Sequence, residues 1–146
     1  MKPTRRSIIT ALLLFTLAAC ATADAGITIE DAWVRPSPAG ILEGVNTGAF
    51  MVIRNQGDQA DRLIGADCPA ARVVEIHETT MVNDVMSMRP VAAVEVPAGG
   101  EVQLKPGSYH LMLIDLQQIL ASGDEIEITL IFERAGRVTF KAVVRE

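Results

Sequence analysis

The sequence predicts an all-β fold in a single domain. Apolar and polar residues alternate in short runs, as in residues 27–30, 72–77 and 125–133, and this period of two is typical of strands with one buried face. Glycine and proline separate the runs at close intervals, and no segment keeps a helical periodicity over three turns. Many short strands with such turns between them favour a β-sandwich or a barrel.

The predicted strands begin at residue 27 and follow one another closely. Residues 36–47 contain two prolines and two glycines, which predicts a loop because proline breaks the hydrogen-bonding of a strand. The segment around Met86 and Met88 is predicted as a loop or a hairpin arm, and residues 117–120 as one short helical turn. The predicted strands are residues 27–30, 32–35, 48–53, 62–66, 72–77, 91–96, 102–104, 109–115, 125–133 and 138–144.

Residues 1–23 have the pattern of an export signal. Three basic residues precede the apolar residues 8–19, a segment too short for a membrane-spanning helix. Cys20 follows directly after Leu-Ala-Ala, which resembles a lipobox whose cysteine is acylated. The alternative is cleavage at small residues, after Ala23 or Ala25. Under either interpretation we expect the protein in the periplasm, and under the first it carries a lipid anchor to the membrane.

The remaining residues 24–146 are expected to form one acidic domain. Removal of the signal takes three positive and no negative charges, so the formal net charge changes from −5 to −8. An acidic protein of this size repels nucleic acid and anionic lipid, which excludes nucleic-acid binding. If Cys20 is acylated, Cys68 stands alone, and one cysteine makes neither an internal disulfide nor a CxxC pair. We predict that Cys68 is a buried apolar filler.

Two histidines and two methionines form the candidate metal site. They are His77, Met88, His110 and Met112, and the chain has no other histidine. His110 and Met112 are two residues apart on a predicted strand and therefore share a face. If the leucines that alternate with them face the core, this pair faces outward or into a surface cleft. Three separate segments would then converge on one point.

This residue set favours copper over other metals. Thioethers are neutral and polarizable, and they bind soft Cu(I) far better than hard cations. Imidazole adds affinity and tolerates Cu(II) as well, whereas calcium and magnesium require oxygen ligands. Met81 and Met86 stay open as spare ligands, as a shield over the metal or as exposed residues. Glu78 and Asp115 are candidates either for orienting an imidazole or for solvated surface charges.

The spacing of the four candidate ligands resembles that of a known family. Ten residues separate His77 from Met88, twenty-one separate Met88 from His110, and one separates His110 from Met112. The chain is thereby identified as a member of the PCu(A)C family of periplasmic copper chaperones, which has the pattern H-x10-M-x21-H-x-M. Residues 83–85 depart from the acidic residue and glycine that members often have. Further stretches similar to the family are residues 31–35, 61–63, 74–78, 104–107 and 110–113.

The resemblance implies a fold, a cargo and a recipient. It implies a cupredoxin-like (Greek-key) β-sandwich that binds one Cu(I) through the four side chains. It also implies delivery of copper to the CuA centre in subunit II of cytochrome c oxidase, often together with a thioredoxin-like copper-insertion protein. The chain stops at Glu146 without a histidine- and methionine-rich tail, so we expect one copper site, and we expect a monomer.

Two other functions remain as alternatives. One is a metal-free structural or binding lipoprotein. The other is a copper electron-transfer protein, which would need a cysteine thiolate beside the two histidines, and therefore Cys68 at the site. Enzymatic activity is not expected because the sequence has no Ser/His/Asp set in a recognisable context, no phosphate-binding glycine loop and no CxxC pair.

Overall fold

A computed structural model describes residues 26–146. The predicted export signal, Cys20 and both predicted cleavage points, after Ala23 and after Ala25, lie outside the described residues. All regular elements in residues 26–146 are strands, and this part of the chain contains no helix of a length and hydropathy that would cross a membrane. The strands are β1 (Ile27–Val34), β2 (Thr47–Asn55), β3 (Asp61–Asp67), β4 (Ala71–Val82), β5 (Val85–Pro90), β6 (Val94–Val96), β7 (Glu101–Leu104), β8 (Tyr109–Leu116), β9 (Glu125–Phe132) and β10 (Gly136–Val144).

The ten strands form one continuous hydrogen-bonded sheet. Its order is β5-β4-β8-β2-β1-β10-β9-β3-β6, and β7 pairs with β2. Strands β1 and β10 pair in parallel, through Trp33 with Val143 and Val34 with Val144. The other strand pairs are antiparallel. The parallel junction joins a half that contains β5, β4, β8 and β2 to a half that contains β9, β3 and β6.

Both halves of the sheet contribute to a single hydrophobic core. Leu111 and Leu113 of β8 and Ile53 of β2 are fully buried, as are Ile128 and Leu130 of β9. These residues belong to one contiguous cluster, so the sheet folds over on itself and encloses one core. Burial of this apolar surface is the main favourable term in folding. The predicted all-β fold in a single domain is confirmed.

Residues 117–120 do not form the predicted helical turn. The backbone N–H of Leu120 donates to Ser37 Oγ, and the N–H of Ser37 donates to the carbonyl of Leu120. The N–H of Gln117 donates to the carbonyl of Ala70. The segment is therefore held by distant parts of the chain, and these long-range bonds take the place of bonds within a helical turn.

Candidate metal centre

The two histidines face each other across neighbouring strands. His77 of β4 is the direct cross-strand partner of His110 of β8, and the centroids of the two rings are 5.7 Å apart. Direct partners in an antiparallel pair lie on the same face of the sheet. His110 is only 4% exposed, and the side chain of His77 is 13% exposed. The imidazoles therefore lie at the base of the site, largely shielded from solvent.

Met112 lies on the same face, two residues along β8 from His110. Its cross-strand partners are Glu75 on β4 and Gly48 on β2. A Cβ atom at Gly48 would lie 2.9 Å from Cζ of Phe50, which is closer than side chains pack. A larger residue at this position would displace the Phe50 ring, so glycine keeps the floor of the site open beside Met112.

Met88 reaches this face from the edge strand β5. A two-residue turn of Asn83 and Asp84, with φ of 50° and 61°, connects β4 to β5. Positive φ at both central residues matches the type I′ turn, whose twist suits a two-stranded hairpin, and Asn and Asp tolerate this conformation. The turn sets the register in which Met88 lies opposite Thr79. Strand alternation then places Met88 on the same face as His77.

An open cleft of about 490 Å³ lies on this face. Three of the four predicted ligands line the cleft, namely Met88, His110 and Met112. His77 lies next to the His110 ring, while Met88 is 52% exposed at the outer rim. The expectation that His110 and Met112 face a surface cleft is confirmed, and all four predicted ligands belong to one face of the sheet.

Each histidine has one ring nitrogen that donates a hydrogen bond. His77 Nε2 donates to the Glu75 carboxylate at 2.9 Å, and His110 Nδ1 donates to the carbonyl of Ser108 at 3.3 Å. A neutral imidazole carries one N–H, so the lone pairs are on His77 Nδ1 and His110 Nε2. His77 Nδ1 is buried and has no hydrogen-bond partner among residues 26–146. A buried lone pair without a partner fits a metal ligand whose second nitrogen is held by a carboxylate.

The environment of His110 favours the neutral ring. Burial lowers the pKa of His110, since a charged imidazolium would lose its hydration. The hydrogen bond to Ser108 opposes this change, and the neighbouring His77 and Arg35 side chains reinforce it. Only the neutral imidazole has a lone pair for a metal ion. His110 is therefore held in the form that binds metal.

A row of aromatic rings packs against the histidines. Trp33 of β1 and Phe50 of β2 are cross-strand partners with ring centroids 4.5 Å apart, and Phe50 is 6.2 Å from the ring of His110. The row thus runs from Trp33 through Phe50 and His110 to His77, across the adjacent strands β1, β2, β8 and β4. The sequence pattern does not predict this row, because only the register between strands brings the rings together.

Glu75 is a site residue that the sequence-based prediction missed. Its carboxylate holds His77 Nε2, which is the orienting contact that was considered for Glu78 and Asp115. The available signal was the spacing of Glu75 and His77, since residues two apart on a strand share a face.

Glu78 and Asp115 are instead held in ion pairs with arginines. Glu78 accepts a hydrogen bond from Arg89 at 2.7 Å, and Asp115 lies 2.6 Å from a guanidinium nitrogen of Arg72. Neither carboxylate has a hydrogen bond to an imidazole among residues 26–146. The structure therefore does not support the orienting role for either residue, and both are partly exposed carboxylates in ion pairs.

Cys68 lies away from the metal-site face. It is buried, and it lines a different cavity, with Arg72 and Arg137. Burial raises the pKa of the Cys68 thiol, although a hydrogen bond from the Ala70 backbone partly opposes this. The predicted role of Cys68 as buried filler is confirmed. A blue-copper site that uses Cys68 does not fit this arrangement.

The donor set at the cleft suits a soft, monovalent ion. No group of three or more His, Cys, Asp or Glu side chains in residues 26–146 is placed to hold a metal ion. A metal on this face would therefore depend on the thioethers of Met88 and Met112 as well as on the two imidazoles. Two neutral nitrogens and two neutral sulfurs match Cu(I), which prefers soft ligands. Copper would be bound as a cargo at an open cleft.

Solved structures of copper-binding domains have the same fold. The copper-bound PCuAC domain from PmoF2 is 31% identical, with a TM-score of 0.68, over 84% of this chain and 95% of that domain. The solution structure of Cu(I)-bound DR1885 from Deinococcus radiodurans is 30% identical, with a TM-score of 0.62, over 88% of this chain and 85% of that one. The fold and the site thus define a PCu(A)C domain, and the cupredoxin-like sandwich implied by the sequence resemblance is confirmed.

Sequence comparisons identify the family. The model described as "Putative lipoprotein LpqE-like" matches residues 27–144, so the chain belongs to the LpqE-like family. "Putative lipoprotein Lxx21020" from Leifsonia xyli subsp. xyli is 32% identical over 108 residues, and "Uncharacterized protein RP573" from Rickettsia prowazekii is 29% identical over 112 residues. These alignments include 73% and 76% of this chain but only 62% of either relative.

Proposed function

We propose that this protein is an extracytoplasmic copper chaperone. It binds one Cu(I) through His77, Met88, His110 and Met112, and it can accept Cu(II) through the imidazoles. It then passes the copper to a recipient protein. The observation that carries this proposal is the strand register, which puts all four side chains on one face beside one cleft.

The shape of the site supports a carrier rather than a fixed redox centre. The imidazoles are buried, which holds the ion in a defined place, whereas Met88 is 52% exposed at the edge strand. An incoming ligand could therefore reach the copper from the Met88 side before the histidines release it. Copper-bound structures of PmoF2 and DR1885 with this fold support copper as the cargo.

The recipient and the location follow from the resemblance to PCu(A)C chaperones and to lipoproteins. We propose delivery to the CuA centre in subunit II of cytochrome c oxidase, with a thioredoxin-like copper-insertion protein as a second partner. A lipid at Cys20 would anchor the protein on the periplasmic side of the membrane, as the names of its lipoprotein relatives suggest. The protein acts as a monomer and has no enzymatic activity of its own.

A Cu(I) competition titration tests the ligand set. The protein is titrated against a Cu(I) chelator under anaerobic, reducing conditions, and one tight equivalent is expected. Met112→Ala and His110→Ala should each weaken the binding markedly, because each removes one of four donors. Ile114→Ala is the matched control, since Ile114 follows Met112 on the same face of β8 but carries no donor atom. Equal affinity in both ligand variants and the control would refute the proposal.

A further inference from the structure

Two methionines outside the predicted ligand set face each other near the end of the β4–β5 hairpin. Met81 and Met86 are direct cross-strand partners. Val82 and Val85 flank the two-residue turn and occupy the hydrogen-bonded position, so the next pair is a non-hydrogen-bonded one. Side chains approach each other most closely at such pairs. The side chains of Met81 and Met86 therefore lie next to each other, and each ends in a thioether.

This pair is adjacent to the proposed copper site. Met86 lines the cleft together with Met88, and the two are separated by one strand repeat, about 7 Å, on the same face of β5. A copper ion held by Met81 and Met86 would thus be one step away from Met88, the outermost of the four predicted ligands. Met86 is the side chain that connects the two positions.

Packing does not account for the placement of these two methionines. Met81 is 63% exposed and Met86 is 58% exposed, so neither fills the core, which is the usual task of methionine. Val82 and Val85 at the tip are exposed to a similar degree, 57% and 65%, but they have no donor atom. The hairpin therefore offers its own control, a neighbouring pair of apolar residues with similar fractional exposure and no sulfur.

We infer that Met81 and Met86 form a second, weaker Cu(I) site, through which copper enters or leaves the His77/Met88/His110/Met112 site. Two thioethers supply fewer donors than the full set, so the ion is held less tightly and exchanges faster. Copper stays Cu(I) throughout, and only ligands exchange: one sulfur binds as another releases. The inference rests on the proposed function, because a relay, in which copper passes through the Met81/Met86 pair, requires the main copper site.

Methyl NMR of the methionines separates the two sites. The full-length chain, as processed by the cell, is labelled at its methionine methyl groups and titrated with Cu(I) without oxygen. The first equivalent should shift the signals of Met88 and Met112. Further Cu(I) should then shift those of Met81 and Met86 together, while the buried Met51 stays constant as an internal reference. If the Met81 and Met86 signals do not move beyond the first equivalent, the inference is overturned.

Two double variants distinguish sulfur ligation from apolar contact. Met81→Leu/Met86→Leu keeps the apolar surface but removes both sulfurs and with them the two methyl signals, so its copper binding is measured by competition with a Cu(I) chelator. The second, weaker equivalent should be lost in this variant while the first remains, and Val82→Ala/Val85→Ala should keep both equivalents. A second equivalent that still binds to the leucine variant overturns the inference. Failure of the first equivalent to shift Met88 and Met112 overturns the proposed function instead, and the relay with it.

The inferred role of Met81 and Met86 also predicts an effect on the rate of copper transfer. Transfer of Cu(I) from the loaded protein to a chelator should be several-fold slower in Met81→Leu/Met86→Leu, with the affinity of the tight site unchanged. The valine variant should transfer copper at the normal rate. Equal transfer rates in the leucine variant and the unmodified protein would exclude a role of this pair in copper exchange.

Discussion

At the scale of single residues, the site depends on how each imidazole is held. Glu75 accepts the Nε2–H of His77 and Ser108 accepts the Nδ1–H of His110. Each contact leaves the opposite nitrogen with its lone pair. The lone pairs of the two proposed ligands are therefore positioned by Glu75 and Ser108, which are not themselves proposed ligands, and this is the usual way that proteins orient metal-binding histidines.

The contact between Glu75 and His77 gives a direct prediction. Glu75→Gln should lower the Cu(I) affinity by about 10-fold or more, because outer contacts of this kind are typically worth about 10- to 100-fold in metal affinity. The measurement is the competition titration. Glu78→Gln is the control, since Glu78 pairs with Arg89, and it should bind copper normally. Equal effects of the two substitutions would contradict the assigned contact.

The burial of His110 predicts how the stability of the copper-free protein depends on pH. Its pKa is lowered in the folded state, so below the ordinary value of about 6.5 the unfolded chain takes up a proton on this ring before the folded protein does. The free energy of unfolding should therefore be highest above that pH and fall as the pH drops through the folded-state pKa.

Chemical denaturation at several pH values checks this dependence. His110→Gln should show a smaller loss of stability between about pH 7.5 and pH 5 than the unmodified protein. The other titratable groups are common to both proteins, so the difference reports His110 together with its interaction with His77. An identical pH profile for the two proteins would show that His110 does not titrate differently in the folded and unfolded states.

At the scale of elements, β8 carries two functions on its two faces. Leu111 and Leu113 are fully buried in the core, while His110 and Met112 line the cleft. The alternation of strand side chains lets one strand stabilise the sandwich and present the two proposed ligands at the same time. Core stability and copper binding should consequently be separable by substitutions one residue apart.

Adjacent substitutions in β8 test this separation. Leu111→Ala should lower the free energy of unfolding by about 2–5 kcal/mol, because it leaves a cavity in the core. Met112→Ala should have a much smaller effect on stability but should strongly weaken Cu(I) binding. Denaturant unfolding and the copper titration are measured on both variants. A large stability loss in Met112→Ala would place its side chain in the core and contradict the site.

The sequence predicted most of the strands, but it did not decide between a loop and a hairpin arm for β5, and it did not predict how the strands pair. Strand periodicity predicted the face shared by His110 and Met112, because residues two apart need no long-range information. The pairing of His77 with His110 and the row of rings from Trp33 to His77 depend on the register between strands. Register is decided by the packing of the whole core, which a local pattern does not contain.

At the scale of the whole molecule, the sandwich serves as a rigid support for an open cleft. The predicted ligands lie on the β4–β5 hairpin and on β8, which follows much later in the chain, and the continuous sheet holds these strands in register. A site that is assembled in this way exists in the folded protein and not in the unfolded chain. Copper binding and global stability should therefore be coupled.

Thermal unfolding with and without Cu(I) measures this coupling. The unfolding midpoint should rise with Cu(I), and the stabilisation should reach about 2.7 kcal/mol when free copper is about 100 times the dissociation constant. The stabilisation by Cu(I) should be much smaller in a variant with both His110→Ala and Met112→Ala. An unchanged midpoint in the unmodified protein under reducing conditions would favour a metal-free structural or binding lipoprotein.

X-ray absorption spectroscopy at the copper edge tests most directly whether two imidazoles and two thioethers hold one Cu(I). With one equivalent of Cu(I) bound, the account predicts two nitrogen scatterers at about 2.0 Å and two sulfur scatterers at about 2.3 Å. These distances are taken by analogy from Zn(II), which has the same d10 configuration. Met88→Leu and Met112→Leu should each remove one sulfur. A ligand shell without sulfur, or one that neither substitution changes, would contradict the account.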